Sequence, residues 1–250
     1  MDRTLLERRG KGILKRENPI ILALDIPDRN RALHLVEEVG DLVAGFKVGL
    51  ELTHFAGLDI IRRIKERGGK VFYDGKFHDI PNTVARTAKA CVSLGVWMFN
   101  IHSLGGREMM EETVRAVKEE GERLGVAPPL VLAVTILTSL DNKRLSEMIG
   151  MEVDVERTVE RLAILAKECG CDGVITSPWE IETVRKSCGE DFLIVCPGIR
   201  LEKDTTEHRR FASPKWALEK GADYLVIGRP ILRAQSPRQA LMEIFEEIGR

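Results

Sequence analysis

Short apolar runs rich in valine, isoleucine and leucine alternate along this chain with longer stretches whose apolar residues recur at helical spacing. The runs are PIILALD (19–25), GFKVG (45–49), KVFYD (70–74), VWMFNIH (96–102), PLVLAVTIL (129–137), DGVITS (172–177), FLIVCPG (192–198) and DYLVIGRP (223–230). They are apolar on both faces, as a strand covered on both sides must be. Between them, DRNRALHLVEEVG offers Asp28 as an N-cap and Leu33, Val36 and Val39 as one face. LDIIRRIKERGG is closed by Gly68 and Gly69, and VERTVERLAILAKECG by Gly170. Eight strand–helix units in succession, with no Pro/Gly/Ser linker between them, predict an α/β fold: a (β/α)₈ TIM barrel forming a single domain over 19–250, preceded by an N-terminal arm over 1–18. A doubly wound open sheet is the alternative. It is disfavoured because neither G-x-G-x-x-G nor a P-loop is present.

The C-terminal ends of the runs give Asp25, Lys47, Asp74 with Lys76, His102 with Ser103, Thr135, Ser177, Gly198 with Arg200, and Gly228 with Arg229. In a barrel these ends share one rim, where the βα loops converge over a packed interior. Polar groups gathered there mark that rim as the functional face.

Composition narrows the partners. The 250 residues suit one barrel, with 31% charged and 44% hydrophobic residues and a net charge of -1. No basic footprint for nucleic acid is present, so none is expected as a partner. The five cysteines, Cys91, Cys169, Cys171, Cys188 and Cys196, form no C-x-x-C pair and read as core-filling thiols in a reducing compartment. The opening MDRTLLERRGKGILKREN is rich in Arg and Lys and lacks a signal peptide's apolar core. It reads as a helical arm or frayed tail, and a cytoplasmic location is expected. No membrane is expected either, since no stretch approaches the roughly 18 apolar residues of a span.

Asp74 and Lys76 stand two apart at a strand end and point to one side if the extended geometry persists. Asp79 follows in the loop, and Pro81 suits the first turn of the next helix, which Asp79 or its neighbour can cap. This much is equally consistent with a structural ion pair and an N-cap. Lys47 shifts the balance, because on a barrel it ends the strand beside that of Asp74 and permits an alternating Lys-Asp-Lys-Asp array. Neighbouring carboxylates keep Lys76 charged, as a proton donor and not as a Schiff-base nucleophile. The glycine-rich ends CPGIR and IGRPI follow runs seven and eight, where barrels commonly bind phosphate through backbone N–H groups, a helix start and an arginine fork.

These motifs together resemble the bacterial type of orotidine 5′-monophosphate decarboxylase. DGKFHDIPNT is similar to that family's D-x-K-x-x-D-I-P-N-T, and the likeness continues through LALD, FKVG, GVWMFNIHSLGG, AVTILTSLD, CPGIR and GADYLVIGRPI. The resemblance implies a metal-free, cofactor-free decarboxylation of orotidine 5′-monophosphate to uridine 5′-monophosphate in a homodimeric barrel, the last step of pyrimidine synthesis. It implies that Lys76 protonates the C6 carbanion, that Asp74 sits by the scissile carboxylate, and that Lys47 completes the array and contacts the ribose. Asp25 would bind a ribose hydroxyl, Thr138 the pyrimidine edge, and Gly198, Arg200, Gly228 and Arg229 the phosphate. Asp79 and Thr83 would serve the neighbouring chain's site.

Two positions depart from the family pattern. EHRRFASP puts His208 where a phosphate-side flap usually carries Gln, in a loop one residue shorter, and TSPWE replaces a small residue and Gln after run six. Two other readings stand beside this one. A Mg²⁺-dependent sugar-phosphate decarboxylase of the same superfamily would want an acidic ligand where Lys47 stands. A non-catalytic nucleotide-phosphate sensor would use the same pocket without turnover.

Overall fold

The computed structural model describes residues 18–201 and 212–250. Among them, eight parallel strands close into one barrel in sequence order: β1 Ile20–Ala23, β2 Gly45–Val48, β3 Val71–Phe77, β4 Met98–His102, β5 Leu130–Val134, β6 Gly173–Ile175, β7 Leu193–Cys196 and β8 Tyr224–Ile227. The β1–β8 ladder, with Ile20 opposite Leu225 and Leu22 opposite Ile227, closes the sheet and excludes the open alternative. Every predicted run carries a strand. Most strands stop short of the polar end of their run because the last residues leave the ladder to enter the βα loops; β3 instead continues to Phe77.

The helices are α1 Arg29–Val39, α2 Leu50–Ala56, α3 Asp59–Glu66, α4 Pro81–Leu94, α5 Gly106–Leu124, α6 Asn142–Ile149, α7 Val155–Glu168, α8 Ile181–Cys188, α9 Pro214–Glu219, α10 Arg229–Leu232 and α11 Pro237–Glu247. Helix α1 opens on Asp28, whose carboxylate accepts the N–H groups of Asn30 and Arg31 at 2.9 and 3.0 Å. Leu33, Val36 and Val39 are buried together on its inner face. Past the ends of α3 and α7 the chain turns at Gly68 and Gly170, with φ of 80° and 84°, a left-handed conformation open to glycine at no steric cost.

Two apolar layers hold the barrel. Ile21, Ala23, Phe72, Met98, Leu132, Val134, Ile175, Leu193, Val195, Tyr224 and Val226 fill its interior. The alternate strand residues, among them Leu22, Phe46, Val48, Phe99 and Ile101, pack outward with the helices. All five cysteines are free and buried, as core fillers should be. Burial pushes the thiols of Cys91 and Cys171 up to about 12, which leaves them inert at neutral pH.

At the N-terminal end of the barrel, the half-buried Arg185 guanidinium donates to the carbonyls of Gly189, Phe192 and Gly221 and to the Asp223 carboxylate, all within 2.7 to 2.8 Å. That end is tied by a structural cation. No helix among the described residues is long and apolar enough to cross a membrane. The expected N-terminal arm falls on 1–17, outside the described residues.

Candidate active site

Strand parity assembles the rim. Asp25 lies two residues beyond the interior Ala23, Asp74 two beyond Phe72, and Asn100 two beyond Met98, while Lys47 stands between the outward Phe46 and Val48. The same alternation that fills the barrel with apolar side chains therefore delivers polar ones at its top. Lys47 Nζ donates to Asp25 Oδ1 at 2.7 Å and lies 3.2 Å from Asp74 Oδ2. Lys76 Nζ donates to Asp74 Oδ1 at 2.6 Å. The result is an unbroken sequence of alternating charge, Asp25–Lys47–Asp74–Lys76.

Asp74 and Lys76 do meet, but not along a regular strand. Tyr73 pairs with Phe99 and Phe77 with Ile101, so Asp74, Gly75 and Lys76 together face the single residue Asn100. This bulge sets Lys76 at φ 46°, a left-handed conformation that costs a non-glycine residue about 1–2 kcal/mol. A Cβ at position 75 would lie 2.5 Å from the Phe77 ring, so the tight return needs glycine there.

Burial sets the electrostatics. Lys47 and Asp74 are each only 8% exposed. Burial works against the charge on Asp74, yet the Lys47 and Lys76 ammonium groups and the bonds from Lys76 and Asn100 outweigh it and hold the carboxyl below its usual range. Burial likewise disfavours the Lys47 ammonium, and Asp74 and Asp25 outweigh it, leaving that amine above its ordinary value. All the members of the array for which a shift is seen are thus held in their charged forms at neutral pH.

The other expected site residues are placed as follows. Asp79 does not join the array within this chain; its carboxylate accepts the Ile80 N–H at 2.7 Å. Nor does it cap α4, whose N-cap position is Ile80 with no side-chain bond, although Pro81 does occupy the first turn. Asp79 and Thr83 instead line a cleft with Lys76, His78 and Thr87. Thr138 is exposed in the loop after β5. Gly198 turns at φ 82° after β7, and Arg200 follows it, half-buried.

Gly228 caps the four-residue α10, which begins with the exposed Arg229. Barrel closure sets Gly228 beside β1: a Cβ there would lie 3.2 Å from Ala23 Cβ and 3.9 Å from Asp25 Oδ2. His208 lies outside the described residues. Two polar strand ends are absorbed structurally, Thr135 by the Ile175 carbonyl at 3.1 Å and Ser177 by the Glu180 carboxylate.

The family model described as orotidine 5′-phosphate decarboxylase / HUMPS family matches residues 18–244. The chain belongs to that family. A protein of Syntrophomonas wolfei subsp. wolfei named orotidine 5′-phosphate decarboxylase is 46% identical over 237 residues, spanning 94% of this chain and 99% of the relative. One of the same name from Moorella thermoacetica is 48% identical over 233 residues, spanning 93% and 92%. The crystal structure of orotidine 5′-phosphate decarboxylase from Lactobacillus acidophilus matches with a TM-score of 0.81 at 37% identity, covering 94% of this chain and 100% of that one.

Within this orotidine 5′-phosphate decarboxylase / HUMPS family member, sequence reasoning missed two residues beside the array. Asn100, fully buried, donates from Nδ2 to Asp74 Oδ1 at 2.7 Å and accepts the Lys76 N–H at 2.7 Å. Its signal was a polar residue inside the apolar run MFNIH, in phase with the interior Met98. Gly49 is the other: a Cβ there would lie 2.9 Å from Lys47 Nζ and 3.2 Å from Asp25 Oδ1. Nothing in the local pattern distinguishes it from an ordinary helix-start glycine.

A histidine pair completes the rim. His102 stacks on His78 with ring centroids 5.1 Å apart, and its Nδ1 accepts the Leu104 N–H. Burial, then the charges of His78 and Lys76, push it down to about 4, so it is neutral with its proton on Nε2.

Proposed function

We propose that this chain decarboxylates orotidine 5′-monophosphate to uridine 5′-monophosphate and CO₂ without metal or cofactor, as the last step of UMP synthesis. The observation that carries the reading is the Asp74 carboxylate held between two ammonium groups, at 3.2 Å from Lys47 and 2.6 Å from Lys76. Lys76 remains partly open, with 36% of its side chain exposed. In the proposed step the C6–carboxylate bond breaks, its electron pair stays on C6, and CO₂ leaves. The Lys76 ammonium delivers a proton to C6 and is recharged from solvent.

General-acid donation supplies only about 10²–10⁴-fold, whereas enzymes accelerate by about 10⁶–10¹⁷-fold. The remainder is assigned to fixed charges, which need no reorganisation as the carbanion forms, and to phosphate binding expressed in the transition state. Gly198, Arg200, Gly228 and Arg229 are proposed as the phosphate side, with His208 in its flap, and Asp25 and Lys47 as ribose ligands. Thr138 is proposed for the pyrimidine edge.

A homodimer is part of the proposal. Leu50, Ile80 and Leu104 are 53%, 66% and 48% exposed, and they follow the three adjacent strands β2, β3 and β4 on the rim that bears Asp79 and Thr83. Exposed apolar side chains after three adjacent strands favour a second copy of the chain, with Asp79 and Thr83 serving its site. The cytoplasm is the proposed location.

The Mg²⁺-dependent alternative is disfavoured because the Lys47 ammonium sits between Asp25 and Asp74, where a divalent cation would have to bind. The test is the loss of ultraviolet absorbance on adding orotidine 5′-monophosphate to the metal-stripped protein. Tight product binding without that loss would favour a sensor, and dependence on added Mg²⁺ would favour the alternative. Lys76→Ala is expected to abolish nearly all turnover while still binding the product; full activity would remove Lys76 as the proton donor.

A further inference from the structure

The β3 bulge brings the reacting lysine into reach, and one side chain spans it. Asn100 is wholly buried on the adjacent strand and bonds both ends of the bulge: its Nδ2 donates to Asp74 Oδ1 and its Oδ1 accepts the Lys76 N–H, each at 2.7 Å. The orientation of the amide is determined by its partners, because an ionised carboxylate only accepts and a backbone N–H only donates. Asp74 Oδ1 also receives the Lys76 Nζ bond at 2.6 Å, so Asn100 and Lys76 grip the same oxygen.

We propose that Asn100 is a positioning residue for decarboxylation, holding Lys76 in its left-handed conformation and aiming the Asp74–Lys76 pair at the substrate. The inference rests on the decarboxylase reading above. At neutral pH the amide fits both roles, whereas an ionised carboxylate at 100 keeps the acceptor for Lys76 but turns a negative charge on Asp74, and an apolar side chain supplies neither bond. Because Asn100 is itself wholly buried and acts through Asp74 and Lys76, its loss is expected to fall on the chemical step and not on substrate binding.

The experiment compares Asn100→Ala and Asn100→Asp with the unaltered protein, following orotidine 5′-monophosphate at several pH values. Hydrogen bonds to charged groups of this kind predict a fall in kcat of roughly 10- to 100-fold for Asn100→Ala, with KM within about threefold. In Asn100→Asp, kcat is expected to recover as pH falls from about 8 to 5.5, as the new carboxyl takes up a proton beside Asp74. The charged groups near position 100 are Asp74 and Lys76 on β3, with Lys47 behind Asp74 on β2; β5 sets only Leu132 opposite, and His102, two residues along, is pushed down by burial to about 4, below the range.

A kcat within threefold of the unaltered protein, a loss carried by KM, or a pH-independent Asn100→Asp would overturn the assignment. A reading that needs no variant at 100 is the Asn100 side-chain NH₂ signal in unaltered protein without ligand. It should exchange slowly with solvent and shift on Lys76→Ala; exchange at the solvent rate would also overturn it. Failure of the decarboxylase reading itself is distinguishable, since it appears as no turnover in the unaltered protein whatever the NH₂ signal does.

Discussion

Lys47→Met keeps the length of the lysine stem and removes its charge, which isolates what the buried ammonium does for Asp25 and Asp74. Asp25 is half exposed and regains water when Lys47 is lost. Asp74 cannot, since only 8% of it is exposed, and its Oδ2 loses the ammonium 3.2 Å away. Breaking a buried pair by deleting one member costs about 3–5 kcal/mol, and with one carboxylate rehydrated the loss should lie near the lower end. At about 2–4 °C per kcal/mol for a chain of this size, Tm should drop by roughly 6–12 °C near pH 7.5.

The sign of the pH dependence follows from the shifts. Asp74 is held below its usual range, so its contribution is present above about pH 4 and is lost as pH falls through its folded value. Lys47 is held above its usual value, so its contribution is present below about pH 10 and lost as pH rises through the folded value. The parent's own contribution from the pair is therefore complete between those limits. Without Lys47, one of the charges that hold Asp74 down is gone, so its carboxyl lies higher than in the parent and the variant's deficit shrinks as pH falls and that carboxyl takes up its proton. Thermal melts followed by circular dichroism at pH 7.5 and pH 5 should show the gap between the two proteins narrowing at pH 5. A gap under 2 °C at pH 7.5, or the same gap at both, would refute the account.

Gly49→Ala brings a Cβ to 2.9 Å from Lys47 Nζ, forcing the ammonium to move by a few tenths of an ångström. Misplacement on that scale should lower kcat/KM by about 10-fold or more with little change in Tm; unchanged kinetics would show that the array tolerates it. Arg229→Ala should impair the phosphorylated substrate far more than the bare nucleoside, and equal losses would remove Arg229 as a phosphate ligand. His102, pushed down to about 4, should give an NMR titration midpoint near that value and no limb of its own in activity between pH 5 and 8. Because it is neutral when folded and takes a proton more readily unfolded, it should make stability fall as pH drops from about 6.5 toward 4; a midpoint near 6.5 would contradict its burial.

Much of this protein is legible in one dimension because barrel strands announce themselves locally. A run apolar on both faces needs cover on both sides, and each of the eight runs, from PIILALD to DYLVIGRP, became a strand. Asp28 capped its helix, and Gly68 and Gly170 turned the chain where expected, since caps and turns depend on backbone groups only a few residues away. The charges of Lys47, Asp74 and Lys76 were also visible, as polar residues ending apolar strands.

Contacts between strands were decided only in three dimensions. Period-two geometry puts Asp74 and Lys76 on one side, yet they meet through a bulge whose extra residues are counted only against β4. Within this chain the charge beside Lys47 is Asp25, because the β1–β2 register sets Ala23 opposite Lys47, while Asp79 accepts a hydrogen bond from its own loop. Asn100 and Gly49 owe their importance to what lies across a strand gap of a few ångströms, a neighbour that may be dozens of residues distant in sequence. Side-chain alternation is a property of one strand and can be read from it, whereas register, closure and the electrostatics of burial belong to the assembled barrel.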